Sequence, residues 1–176
     1  MKTEYLFDKE VDRVLALLTP ENRLVLRVCL VTGLRVSDVL ALTPGQLKPH
    51  FWVTEQKTGK RRQVGLREPL LSDLKKAAGK DWVFPGRDPR KHRTRQAVWK
   101  DVKRAAAALR LAQNVAPHSI RKVYAVELLH KYGDIAKVQK ALNHSNAAVT
   151  LVYAMADAQL EAKFRRRRSR AGTKPC

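Results

Sequence analysis

Carboxylates are scarce in this sequence: 16 Asp and Glu face 36 Lys and Arg, a formal net charge of +20. The excess is not confined to one end. Removing "RRRRSRAGTKPC", with its five arginines and one lysine, still leaves +14. A solvated basic tail therefore does not explain the imbalance, and the folded body itself is expected to bind a polyanion, of which nucleic acid is the commonest. Cysteine is scarcer still. Cys29 and Cys176 are the only two, which excludes a disulfide framework, and Cys29 in the apolar run "LVLRVCLV" reads as a small buried hydrophobe. No metal centre is expected, because the five histidines are scattered and no cysteine pair accompanies them. No apolar run reaches membrane-span length, and no signal-peptide pattern opens the sequence. The Gly-x-x-x-x-Gly-Lys-Ser/Thr pattern of a nucleotide loop is missing as well. The expected setting is a reducing, cytoplasmic one with access to nucleic acid.

What is present is mostly helical periodicity in a chain of 176 residues, 44% of them hydrophobic, enough for one domain with a real core. "FDKEVDRVLALL" places Val11, Val14, Leu15 and Leu18 on one helical stripe. In "TPENRLVLRVCLVTGL", Thr19 suits an N-cap, Pro20 the first helical position, and Gly33 the stop. "RVSDVLAL" gives one or two short turns, closed by "TPGQ". "HFWVTEQ" and "RRQVGL" are β-rich, with "KTGK" supplying the turn of a hairpin. A short helix in "PLLSDLKKAAG" and the loop "FPGRDPRKHR" follow. Thr94 can then cap a long helix, "RQAVWKDVKRAAAALRL", with Val98, Val102, Ala105, Ala106 and Leu109 on one face. Further helices are expected from about His118 to His130, from Asp134, near Ser145, and in "DAQLEAKFRR". The fold class is mainly α with a small antiparallel hairpin (α+β).

Single residues along this path carry weak signals. Arg35 can be a helix-end cap, Lys57 a solvated turn lysine, and His118 and Arg121 a helix start and a basic surface residue. Tyr153, nine positions after His144 in "LNHSNAAVTLVYAM", can be either a core aromatic or a nucleophile. Their order carries more than any one of them. "TGLRVSD" sets an arginine at a helix-to-helix turn, "QKTGKRRQVGL" a lysine at a hairpin tip, and "HSIR" a histidine and an arginine one turn apart on one face. "LNHS" then supplies a second histidine, and the tyrosine follows.

This ordered set resembles the catalytic domain of the tyrosine recombinases, the phage-integrase family, from about residue 8 to about residue 164. Asn143 stands where the family more often has Gly, and Lys122 where many members have another His. The resemblance implies a catalytic domain over residues 1–164 and a basic, disordered tail over 165–176, without the N-terminal core-binding domain that usually closes a clamp on DNA. It implies a site-specific DNA recombinase that cleaves and rejoins strands through a covalent 3′-phosphotyrosine, with Tyr153 as nucleophile. Arg35 and Arg121 would hold the scissile phosphate, as planar guanidinium forks match phosphate oxygens. Lys57 would protonate the leaving 5′-oxygen, His118 assist proton transfer, His144 donate to the phosphate, and Asp38 orient the Arg35 arm. Lys60, Arg61, Arg62, Arg93, Arg95 and Lys122 would contact DNA. No cofactor or metal enters that scheme. The implied partners are double-stranded DNA, further copies of the chain in a tetrameric synapse, and DNA-bending accessory proteins, with no membrane; the implied location is the nucleoid. Two other readings use the same basic body: a DNA-binding protein that has lost turnover, and a type IB topoisomerase, although "HSIR" favours the recombinase.

Overall fold

The computed structural model describes residues 6–142. His144, Tyr153, the helices expected around them and the basic tail lie outside the described residues. Two compact units divide the chain, Met1–Tyr124 and Ala125–Cys176.

In the first unit, helix α1 spans Asp8–Leu17 and buries Val11 and Val14, the stripe read from the sequence. No glycine follows it. Its last carbonyls are served instead by Arg23 of the next helix, whose Nε donates to Leu15 O at 2.8 Å and Nη2 to Ala16 O at 2.9 Å. Helix α2 covers Pro20–Thr32, with proline at its first position. Its inner face is Val25, Leu26, Val28 and Cys29, each at most 2% exposed. Burial raises the Cys29 thiol to about 12, so it is a core residue and not a reactive one.

The short helix α3, Val36–Leu40, leads through a 3-10 turn at Pro44–Gln46 into the hairpin β1, His50–Thr54, and β2, Arg61–Gly65. The strands run antiparallel with Phe51 opposite Val64 and Val53 opposite Arg62. Phe51, Val53 and Val64 face the core, whereas Trp52 is 53% exposed, which is the two-residue alternation of a half-buried sheet. Helix α4, Leu70–Ala77, buries Leu70, Leu71 and Leu74 against the same core. Main-chain bonds then hold the loop before the long helix, including Arg93 N to Phe84 O at 2.8 Å and Val83 N to Leu42 O at 2.9 Å. Helix α5 covers Arg95–Ala108 and is capped as expected, with Thr94 Oγ1 accepting from Ala97 N at 3.1 Å. It stops before Leu111, because Arg110 turns the chain with φ 51. Helix α6 spans Pro117–Tyr132, and in the second unit helix α7, Ile135–Leu142, buries Val138 and Leu142. Among the described residues no helix is long and apolar enough to cross a membrane.

One cap differs from its sequence expectation. Thr19 makes no side-chain cap on α2. The carboxylate of Asp101, on α5, takes over: Oδ2 accepts from Thr19 N at 2.9 Å, Thr19 Oγ1 at 3.0 Å and Asn22 Nδ2 at 2.8 Å. Its Oδ1 accepts from Arg104 Nη2 at 2.7 Å. A full negative charge thus meets the positive end of α2 and fastens two helices distant in sequence. Burial pushes the Asp101 pKa up, but the hydrogen bonds from Asn22, Thr19 and Arg104 outweigh it and leave the group at about 2.

A depressed carboxylate contributes stability above its unfolded pKa and loses it as pH falls through the folded value. Asp101→Asn is therefore expected to lower unfolding stability at pH 7 by about 1–3 kcal/mol. In urea melts, the gap to the wild type should close as pH falls from about 4 toward about 2.

Candidate active site

The site begins at the end of α2. Gly33 takes the left-handed conformation at φ 63, and its N–H donates to Cys29 O at 2.8 Å. A side chain there would suffer twice, since its Cβ would also overlap the Tyr124 ring. The turn delivers Arg35 as the residue that opens α3, its carbonyl accepting from Asp38 N at 2.9 Å and Val39 N at 3.0 Å. The backbone of Arg35 is fixed by this geometry, and its side chain is 21% exposed.

Helix α6 supplies the second arm. Pro117 opens it, and Ser119 Oγ accepts from Ala116 N at 3.3 Å. One turn on, Arg121 is 2% exposed, and its Nη1 donates to Gly33 O. The carbonyl of the left-handed glycine thereby orients a buried guanidinium. Tyr124, one turn further, lies against Gly33, in keeping with its reading as a packing residue. His118 remains exposed but is surrounded by cations. Desolvation first, then the charges of Arg121, Lys122, Arg35 and Lys57, lower its pKa to about 4. At neutral pH it is an uncharged imidazole.

The hairpin turn forms the third arm. Lys57 is exposed, and the residues on either side of it are held from below. Asp38, 2% exposed, accepts from Gln56 N at 3.0 Å through Oδ1, and Thr58 Oγ1 donates to Glu55 Oε2 at 3.1 Å. Burial raises the Asp38 pKa; the Gln56 N–H opposes that shift and the nearby Glu55 adds to it. Glu55 is fully buried at 0% exposure and also accepts from Arg35 Nη1 through Oε2, while its Oε1 lies 3.4 Å from Arg62 Nε. Arg62 points into this cluster, with its Nη2 donating to Thr32 O at 2.9 Å. Burial lowers the Arg62 pKa and the Glu55 charge opposes that shift.

Arg35, His118 and Arg121 line one cavity of about 360 Å³, together with Arg95, Gln96 and Trp99 from the start of α5. Of the residues expected to contact DNA, Lys60, Arg61 and Arg95 are exposed, and Lys122 is half-buried. The Arg61 guanidinium stacks 5.3 Å from the Trp52 ring centre. Arg93 is turned toward the N-terminus of α2, donating from Nε to Asn22 Oδ1 at 2.7 Å. Arg62 has only 13% of its side chain exposed. His144 and Tyr153 lie outside the described residues. No group of His, Cys, Asp or Glu suited to a metal occurs among the described residues.

Sequence reasoning missed Glu55 and Trp99. The signal for Glu55 is the strand alternation: Phe51 and Val53 face inward, and Glu55 is next in that series. Trp99 stands one helical turn after Arg95 on α5 and is 48% exposed.

A mostly helical body carrying one hairpin, with arginines and a histidine gathered at one cavity, has the fold of the tyrosine-recombinase catalytic domains. The chain belongs to the phage integrase family, whose profile matches residues 4–159. It is 32% identical over 128 residues to "Probable integrase/recombinase YoeC" of Bacillus subtilis (strain 168), covering 69% of this chain and 70% of that one. To "Tyrosine recombinase XerD" of Bradyrhizobium diazoefficiens it is 34% identical over 147 residues, 73% of this chain but 46% of the relative. The chain thus spans about half the length of that XerD. Among solved structures, the XerA recombinase superposes with a TM-score of 0.73 at 20% identity, over 94% of this chain and 66% of that one. The catalytic domain of bacteriophage HP1 integrase gives 0.69 at 23% identity, over 93% and 95% respectively. A lambda integrase dimer bound to a COC′ core site gives 0.72 at 19% identity, over 87% and 48%.

Because φ and the Tyr124 contact both exclude a Cβ at Gly33, Gly33→Ala is expected to cost about 2–4 kcal/mol, combining the left-handed penalty with overpacking. Equilibrium denaturation measures the loss. A change within about 0.5 kcal/mol, the range of an ordinary surface substitution, would contradict this account of the turn.

Proposed function

We propose that this chain is the catalytic body of a site-specific DNA recombinase that cleaves and rejoins strands through a 3′-phosphotyrosine. The observation that carries the reading is the convergence of Arg35, Arg121 and an uncharged His118 on one cavity. A phosphodiester there meets two guanidinium groups whose backbone and side-chain positions are set before it arrives. Such preorganised charge acts most strongly on the pentavalent transition state, where the non-bridging oxygens carry most charge.

In the step itself, Tyr153 Oη forms a bond to phosphorus as the bond from phosphorus to the 5′-oxygen breaks. A free phenol has a pKa of about 10, so the attacking hydroxyl must lose its proton. Neutral His118 takes that proton, a role an imidazolium could not fill. Lys57 gives one to the departing 5′-oxygen, and His144 donates a hydrogen bond to the phosphate. Religation runs the same steps backward, and the phosphotyrosine bond conserves the energy of the strand. Lys60, Arg61, Arg95 and Lys122 neutralise flanking DNA phosphates. Arg62 and Arg93, turned inward, hold the site and the α2 terminus instead. The DNA-bound lambda integrase dimer supports assembly of several copies on DNA, and work on chromosomal or mobile DNA implies the nucleoid as location.

Covalent trapping tests this. Nicked duplexes tiled from DNA flanking the gene, incubated in EDTA, should yield an adduct that survives SDS and is lost in Tyr153→Phe. Between pH 7.5 and 5.5 the His118 contribution to the rate should stay flat, because the group charges only near 4. An ordinary histidine, with a pKa of about 6.5, would cost about tenfold over that interval. Salt-sensitive binding with no adduct would favour the reading without turnover, and relaxation of supercoiled circles without strand exchange the topoisomerase.

A further inference from the structure

The proposed reaction leaves one buried charge without a task. Glu55 is fully buried and does not line the site cavity, yet it meets every arm of the hairpin side of the site. A carboxylate this deeply buried persists only if its charge is compensated, and here the compensation comes from two arginines of different function. Oε2 receives Arg35 Nη1, and Oε1 faces Arg62 Nε at 3.4 Å. Arg62 in turn reaches Thr32 O at 2.9 Å, at the end of α2 just before Gly33. The cluster therefore joins the hairpin to the turn that presents Arg35.

The same residue also shapes the lysine turn. Glu55 O accepts from Gly59 N at 2.8 Å and Thr58 N at 3.3 Å, Glu55 N donates to Lys60 O at 3.0 Å, and Oε2 accepts from Thr58 Oγ1 at 3.1 Å. On the other side, Asp38 holds Gln56 N. Lys57 sits between two anchored neighbours, so its backbone is fixed while its ammonium stays exposed. An arginine has five donors, and the Glu55 contact engages Nη1, leaving the guanidinium able to address a phosphate as well.

We propose that Glu55 is a positioning residue that sets the Arg35 guanidinium and the Lys57 turn in one register, so that phosphate clamp and proton donor are presented together. This rests on the recombinase reading of the site. The two effects separate chemically. When sulfur replaces the bridging 5′-oxygen, the phosphorus–sulfur bond breaks to release a thiolate that needs no proton, because a thiol's pKa of about 8.5 is far below that of an alcohol. Any defect transmitted through Lys57 vanishes on that substrate, and any defect transmitted through Arg35 remains.

The experiment is single-turnover adduct formation on oxygen- and sulfur-bridged duplexes, with amide hydrogen exchange over residues 55–60 of the free protein. Glu55→Gln, which keeps shape and removes charge, should slow cleavage of the oxygen substrate by about 10- to 100-fold, less than outright loss of a donor. Its defect should shrink on sulfur without disappearing, its affinity for DNA should hold, and the turn amides should exchange faster. Thr58→Val, at an exposed position, loosens only the turn. It should slow the oxygen substrate and match wild type on sulfur. Equal losses on both substrates for Glu55→Gln would reduce Glu55 to general structural support and overturn the proposal, as would wild-type rates together with unchanged exchange. If the wild type forms no adduct, the recombinase reading falls by itself. Exchange at the turn then still decides whether Glu55 positions it.

Discussion

The two arginine-bearing arms of the site meet because a helix can end only where its chain is allowed to reverse. At Gly33 the backbone enters left-handed space, and the buried carbonyl of that turn accepts from Arg121 Nη1. The absent side chain leaves room for Tyr124. Arg35 follows two residues later, already clear of α2 and opening α3. One backbone conformation therefore fixes the origin of one guanidinium and the hydrogen-bond partner of the other. The hairpin joins the same point through Arg62 and Thr32 O. Were that turn to open, the cavity would lose the mutual placement of its cations, whatever became of the core beneath.

Gathering cations is unfavourable without a phosphate, and the protein offsets this from within. Glu55 and Asp38 are both buried behind the positive surface, where each holds a shoulder of the lysine turn. Positive potential thus stays on the cavity side and its compensation on the core side. His118 registers the result: desolvation and four neighbouring cations keep it neutral far below the usual imidazole range. The excess charge of the body is in this sense organised and not merely abundant. Asp101 applies the same tactic away from the site, placing a carboxylate where two helices and an arginine converge.

Local chemistry was legible from the residues in order. Thr94 caps α5, Gly33 ends α2, the "KTGK" turn closes a hairpin, and Cys29 is a core residue, because each depends on neighbours a few positions away. What the reading missed depends on contacts across the chain. Thr19 stands at the N-cap of α2 as read, but the capping acceptor is the Asp101 carboxylate from 82 positions away. Arg62 sits among basic residues that read as a DNA-facing run, yet strand alternation turns it inward. Glu55 obeys that alternation too, and a charge predicted on an inward position was the overlooked signal. Of the site residues that the resemblance to the tyrosine recombinases implies, Arg35, His118 and Arg121 line one cavity, while Lys57 acts on His118 through its charge. No reading of periodicity alone would have selected them.

The central claim is that Arg35 and Arg121 act on one phosphate as a unit. A double-mutant cycle tests it directly, with Arg35→Lys and Arg121→Lys made singly and together and read as single-turnover adduct formation. Lysine retains charge and loses the planar fork, so the comparison isolates geometry. Strong non-additivity is expected, the double variant reacting about as slowly as the slower single one, as for residues that serve a single transition state. Rate losses that multiply would mean that the two arginines act at separate places, and would contradict it.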